Sequence, residues 1–238
     1  AGRTAKGTAI VNLLQLDGGE KVTTVIPVDE DQGGNLVMAT KNGLIKKTAL
    51  SEFRNLRASG LIAVTLREDD ELIGVTLTDG SRELLLGTRQ GMSIRFHEDD
   101  VRTMGRTAMG VRSIDLAPGD EVVSMSAVQE DCEVLTISEN GYGKRTPEAE
   151  YRVQSRGGKG IKAMQLTDKT GPLSALMLVR EDEDVMLISD DGTIIRMAVA
   201  DISTQSRSTQ GVRLMRLADS SRVVAVTTTE KIEETDEG

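Results

Sequence analysis

A chain of 238 residues with 2% aromatic residues and no tryptophan must build its core from Val, Leu, Ile, Met and Ala, and it holds no apolar run long enough to span a membrane. One histidine and one cysteine leave no basis for an ordinary zinc site, a histidine-centred triad or an internal disulfide, and the unpaired Cys132 fits a reducing cytoplasm. The net charge of −9 argues against a nucleic-acid partner only if it is evenly spread, which it is not.

The N-terminus, AGRTAKGTAI, has neither an apolar leader nor an initiating Met, and reads as a processed chain or an excised piece. Residues 1–28 hold an apolar pair, Val11 and Leu13, and a strand-like run, KVTTVIPV (21–28). The polar stretch DEDQGGN (29–35) follows as a solvated linker, without the ligand spacing of a calcium loop.

From here the sequence repeats. Hairpin glycines stand at Gly43, Gly91, Gly141 and Gly192, spaced 48, 50 and 51 residues apart. Three positions before each is a hydroxyl residue (Thr40, Thr88, Ser138, Ser189), and four after is a base (Lys47, Arg95, Arg145, Arg196). Nine and ten positions after come an acid and an apolar residue: Glu52-Phe53, Asp100-Val101, Glu150-Tyr151 and Asp201-Ile202. An arginine (Arg57, Arg106, Arg156, Arg207) and a second glycine (Gly60, Gly110, Gly160, Gly211) close the loop. Gly7 supplies a fifth copy of that second glycine.

Each copy predicts four strands. An apolar run such as LLLGT (84–88) leads to an x-Gly pair suited to a two-residue hairpin, then to a short strand ending in bases. The third strand, such as GIKAMQL (160–166), alternates apolar and polar residues, and the fourth is a run such as EVVSMSAV (121–128). No segment carries a helical period beyond about a turn. Four-stranded units of about 50 residues are the signature of propeller blades. The reading is all-β, with a half blade at 1–28 and blades at about 33–77, 80–128, 130–179 and 182–229. Residues 230–238 carry five acids and one lysine, and are expected to form a disordered acidic tail that competes with an anionic partner.

The motifs NGYGKRT (140–146) and YRVQSRGGKG (151–160), set in this repeat, resemble the C-terminal domain of the DNA gyrase A protein. The resemblance covers residues 1–229. It implies a β-pinwheel whose basic outer edge wraps duplex DNA without sequence preference. It also implies a full type II topoisomerase in which a gyrase A core and a gyrase B ATPase subunit use ATP and magnesium to drive negative supercoiling. This domain itself would be non-catalytic, need no cofactor, and work in the bacterial cytoplasm at the nucleoid. The family's hallmark box has the form Gln-basic-Arg-Gly-Gly-basic-Gly in the first blade. Here Gln154 to Gly160 comes close, but Ser155 replaces a base and the loop lies in a later blade, so the box itself is expected upstream of Ala1. The A-type subunit of topoisomerase IV shares the pattern and is the sibling reading.

The candidate DNA-binding residues fall into three sets. Lys46, Lys47, Arg95, Lys144, Arg145 and Arg196 end the second strand; Arg57, Arg106, Arg156, Lys159 and Arg207 lie in the following loop; Lys162 and Arg213, with Arg112, stand two residues past the second glycine. Bases on glycine-rich loops approach phosphates closely, which predicts a belt strongest on the repeat 130–179. The structural alternative is that each strand-end base pairs with its own acid at +9, an alternative least suited to the doublets Lys46-Lys47 and Lys144-Arg145. The competing class is a propeller that binds proteins, which the shortage of aromatics disfavours.

Overall fold

The computed structural model describes residues 22–28, 33–54 and 60–231. Most of the half blade at 1–28, Arg57 and nearly all of the acidic tail therefore lie outside the described residues. The first repeat supplies β1 (Asn35–Thr40), β2 (Leu44–Ala49) and β3 (Leu72–Thr78). The second supplies β4 (Glu83–Thr88), β5 (Met92–His97), β6 (Val111–Arg112) and β7 (Val122–Ala127). The third supplies β8 (Glu133–Ser138), β9 (Tyr142–Pro147), β10 (Ile161–Lys162) and β11 (Leu173–Val179). The fourth supplies β12 (Glu183–Ser189), β13 (Ile194–Ala198), β14 (Val212–Arg213) and β15 (Val223–Glu230). Short 3-10 turns follow the second strands, at Leu50–Phe53, Glu98–Asp100, Glu148–Glu150 and Val199–Asp201. Among the described residues no helix is long and apolar enough to cross a membrane.

The strands form four antiparallel sheets, in the orders β3-β1-β2-β6, β10-β5-β4-β7, β11-β8-β9-β14 and β13-β12-β15. The first three sheets take their outermost strand from the repeat that follows. The ranges 33–77, 80–128, 130–179 and 182–229 thus mark sequence repeats, while each of these sheets is assembled across a boundary between them. The fourth strands β3, β7, β11 and β15 pack successively against one another, so they face inward and the exchanged strands form the outer rim. Buried apolar side chains fill the spaces between sheets, with Leu84, Leu86, Ile94 and Phe96 joining the first two and Leu135, Ile137, Val185 and Leu187 the last two.

Two repeated features have local causes. The x-Gly turn is not a two-residue hairpin: Gly43 N–H donates to Thr40 O at 3.0 Å, and Ala39 pairs with Ile45. Only the glycine of the turn takes a positive φ, +80°, so the turn is followed by a one-residue bulge. The bulge frees the Leu44 N–H, which Thr40 Oγ1 accepts at 3.2 Å; Thr88 and Ser138 do the same for Met92 and Tyr142. The recurring hydroxyl is thereby accounted for in three of the four hairpins. In the fourth, Asp191 Oδ1 accepts from Thr193 N–H and Ser189 Oγ donates to Thr193 O.

The second glycine is fixed by strand exchange. Gly211 has φ +75°, and a Cβ there would lie 2.5 Å from the carbonyl oxygen of Gly143 in the sheet it joins. Gly160 meets the Ser93 carbonyl in the same way. The third strands are also shorter than their alternation predicts. Each pairs for two residues, and the chain then turns under the neighbouring hairpin tip, where Ser113 N–H donates to Gly43 O and Leu214 N–H to Gly141 O, both at 2.8 Å.

Candidate nucleic-acid interface

In the first three repeats the strand-end bases Lys46, Lys47, Arg95, Lys144 and Arg145 point into the sheets' flanks, where loops from the next repeat cover them. Arg196 in the fourth repeat is instead exposed. Lys144 is 0% exposed and Lys46 1%. Lys144 Nζ donates to the carbonyl oxygens of Ser206 and Arg207 at 2.5 and 2.6 Å, and Lys46 Nζ to those of Ala63 and Arg106. Burial pulls both lysines down to about 8, with Arg106 adding to the effect at Lys46; at Lys144 the nearby Glu150 opposes it in part and Arg207 adds to it. The doublets, which from sequence look freest, are thus the most enclosed.

Their neighbours are ion-paired. Arg95 reaches Glu83 at 2.5 Å and also Glu148; Arg145 reaches Glu133 at 2.7 Å; Arg196 reaches Asp184 at 2.7 Å. Leu85 pairs with Arg95 and Leu135 with Arg145, so each acid, two residues away on the partner strand, shares the base's face. Lys47 Nζ donates to Glu98 O at 2.9 Å and lies 3.7 Å from its carboxylate. Glu98 is fully buried and also accepts from Thr78 Oγ1 and the N–H groups of Gly80 and Arg82. The stapling alternative therefore holds in kind, but with different partners. The acid at +9 instead binds the next repeat's loop: Asp100 accepts from Arg156 N–H at 3.2 Å and Glu150 from Arg207 N–H at 2.9 Å.

The loop arginines hold the rim together. Arg106 Nη1 donates to the carbonyl of Ile62, Arg156 to that of Arg112, and Arg207 to that of Lys162. Each ties its loop to the exchanged-strand position of the preceding repeat. All three residues are half-buried, with Arg207 Nε enclosed, so they remain at the edge with some donors committed.

What stands free is the exchanged strand itself. Arg112, Lys162 and Arg213 are exposed and occupy the same register on three successive sheets, opposite Leu44, Met92 and Tyr142. Lys159 is exposed just before β10. Among the described residues Arg112 has only the exposed Asp115 at 3.4 Å as a side-chain partner, and Lys162 only the neutral Gln165 at 2.8 Å. Because of the exchange, Lys159 and Lys162 sit on the second sheet, and the repeat 130–179 does not concentrate the charge on one sheet of its own. Arg216 and Lys169, which the sequence gives no distinctive offset across repeats, join Arg213 on the third sheet's edge.

A family model for the DNA gyrase C-terminal domain, beta-propeller, matches residues 1–29, 34–79, 82–129, 133–180 and 183–230. The DNA gyrase A protein of Halalkalibacterium halodurans is 62% identical over 226 residues, which are 94% of this chain and 27% of that protein. Its Salmonella typhimurium counterpart is 44% identical over 227 residues, 95% of this chain and 26% of that protein. The chain thus spans only a minor part of these relatives' length. Among solved structures, the C-terminal domain of DNA topoisomerase IV superposes with a TM-score of 0.88 at 28% identity, covering 94% of this chain and 71% of that one. A DNA gyrase A C-terminal domain superposes with a TM-score of 0.85 at 25% identity, covering 94% and 75%. With its repeats, its exchanged strands and matches over almost its whole length, this chain belongs to the DNA gyrase C-terminal domain family.

Proposed function

We propose that the chain binds duplex DNA without sequence preference along its outer rim, and bends it, as the DNA-wrapping part of a gyrase A protein. The observation that carries this reading is the base at one register of three successive outer strands, Arg112, Lys162 and Arg213. The same register on equivalent sheets suits a periodic polyanion, and phosphate contacts of this kind carry no sequence information. The chain contributes positioning. Strand cleavage, ATP and magnesium chemistry belong to the gyrase A core and the gyrase B ATPase of the parent type II topoisomerase, which works in the cytoplasm. Relatives at 44% and 62% identity are gyrase A proteins, which favours gyrase over topoisomerase IV as the parent.

Gel shifts with arbitrary-sequence duplexes of increasing length test the proposal. Affinity should rise with length until the rim is covered, be indifferent to sequence, and fall steeply with salt as counterions are released. Binding that ignores salt, or none at all, would favour a protein-binding propeller instead.

A further inference from the structure

The three exchanged strands are alike in fold but not in charge. Three positions after the outer base stand Asp115, Gln165 and Arg216 on the first, second and third sheets. Against the hairpin tips of the same sheets lie Asp69, Gly119 and Lys169: Asn42 Nδ2 donates to Asp69 O, and Asn140 Nδ2 to Lys169 O. The first sheet therefore carries one base and two acids at these positions, with Arg67 sharing a depression with Arg112 and Asp115. The second has a lone base at these positions, and the third has three. On the third sheet Lys169, Arg213 and Arg216 line a depression of about 540 Å³ with Tyr142 and Gln210, and no acid among the described residues lines it. Glu139, in the adjoining hollow, is held by Arg89 at 2.6 Å, and Asp219 there is exposed.

Tyr142 organises this site. Its hydroxyl accepts from Arg213 Nε at 3.1 Å and Nη2 at 2.8 Å, and its ring centroid lies 5.4 Å from Arg213 Cζ and 5.3 Å from Lys169 Nζ. Leu44, Met92 and Thr193 occupy the equivalent positions, so the arrangement occurs once among the four hairpins. A phenol fixes the guanidinium without neutralising it, whereas Asp115 partly neutralises Arg112. Two of five guanidinium donors are used, which leaves three for an anion. Orientation before binding also lowers the cost of immobilising a long side chain.

We infer that the hollow formed by Tyr142, Lys169, Arg213 and Arg216 is a phosphate clamp at which duplex DNA is first anchored, with Tyr142 as the positioning residue for Arg213. The inference rests on the DNA-binding reading above. From this anchor the duplex extends over Lys162 and Lys159 on the second sheet and last over Arg112, where Asp115 competes with phosphate. The rim is thus graded, and a duplex too short to follow the curve binds at the third sheet.

The test uses the 238-residue chain and two duplexes, one of about one helical turn and one several times longer, titrated at several salt concentrations. The triple variant Lys169→Ala, Arg213→Ala, Arg216→Ala should lose most of its affinity for the short duplex. Its salt slope should fall by about 0.9 for each phosphate contact removed. A triple of equal charge loss, Arg112→Ala, Lys159→Ala, Lys162→Ala, should weaken the short duplex far less and the long one substantially. Tyr142→Phe keeps the ring and every charge. It should weaken binding several-fold without changing the slope, and should have no effect in an Arg213→Ala background. Equal losses from the two triples on the short duplex would overturn the anchor and leave a uniform rim. An undiminished effect of Tyr142→Phe in the Arg213→Ala background would overturn the positioning role. Failure of the unaltered chain to bind either duplex would instead remove the DNA-binding reading itself.

Discussion

Lys144 Nζ donates to the main-chain carbonyl oxygen of Arg207 at 2.6 Å, and the two residues belong to successive repeats. Both rank as DNA-binding candidates by sequence position. In the fold they bind each other, lysine to backbone, where the third repeat's second strand meets the fourth repeat's loop. The basic residues of the first three repeats therefore divide by depth: those ending the second strands join repeats, and those on the exchanged strands face outward.

Lys144→Met and Lys46→Met keep the aliphatic stems but strand two carbonyl oxygens each, and each should destabilise the fold by about 1–3 kcal/mol. DNA affinity measured well below the melting temperature should be unchanged.

The same pair predicts a pH dependence. In the fold both lysines titrate at about 8, below their ordinary 10.5. Between those values the unfolded chain binds more protons at these positions, so stability rises with pH. The contribution is fully present above the unfolded value and is lost as pH falls through about 8. Tyr151, raised by burial, acts oppositely above its ordinary value of 10.0, so the clean window lies between about 8 and 10. Thermal melts across that window should show the native chain gaining on a variant carrying both methionines; parallel curves would contradict the assignment.

Gly160→Ala should cost more than about 1 kcal/mol, because φ is +74° and the new Cβ would overlap the Ser93 carbonyl on the adjacent strand β5 of the sheet it joins. Gly105→Ala, with open space around it, should change the denaturant midpoint little. If both behave alike, strand exchange is not what fixes the second glycine.

The repeat is legible in the sequence because its glycines, hydroxyls and apolar runs are local requirements of turns and strands. Strand exchange is not, because the third strand of one repeat and the second strand of the previous one stand about 70 residues apart in the pairs Lys162–Met92 and Arg213–Tyr142. That hidden step decides the fate of the bases. Lys46 and Lys144 read as members of free doublets until the next repeat's loop is laid over them. A usable clue is present: Glu83, Glu133 and Asp184 each precede their arginine by twelve residues. The outer bases Lys162 and Arg213 follow from their offset to the second glycine. Lys169 and Arg216 do not, because no other repeat carries a base at their positions.

A rim that curves obliges a bound duplex to bend. Bending 20–30 base pairs through 40–90° costs roughly 1–6 kcal/mol, which contacts on several sheets together can offset. Closed circular DNA relaxed by a topoisomerase in the presence of this chain should therefore show a small linking-number change. The change should shrink when Arg112 and Lys162 are removed. An unaltered linking number would reduce the rim to a straight binding surface.

The most direct test of the central claim compares two triples of equal charge loss on a long duplex across a salt series. Arg112→Ala, Lys162→Ala, Arg213→Ala removes the outward bases; Arg95→Ala, Arg145→Ala, Arg196→Ala removes ion-paired ones. The outer triple should bind more weakly, with its salt slope reduced by about 0.9 per lost contact, and should melt like the native chain. The inner triple should melt earlier and keep the native slope. A native slope for the outer triple, or a reduced one confined to the inner triple, would contradict the assignment of the exchanged strands as the DNA-binding rim.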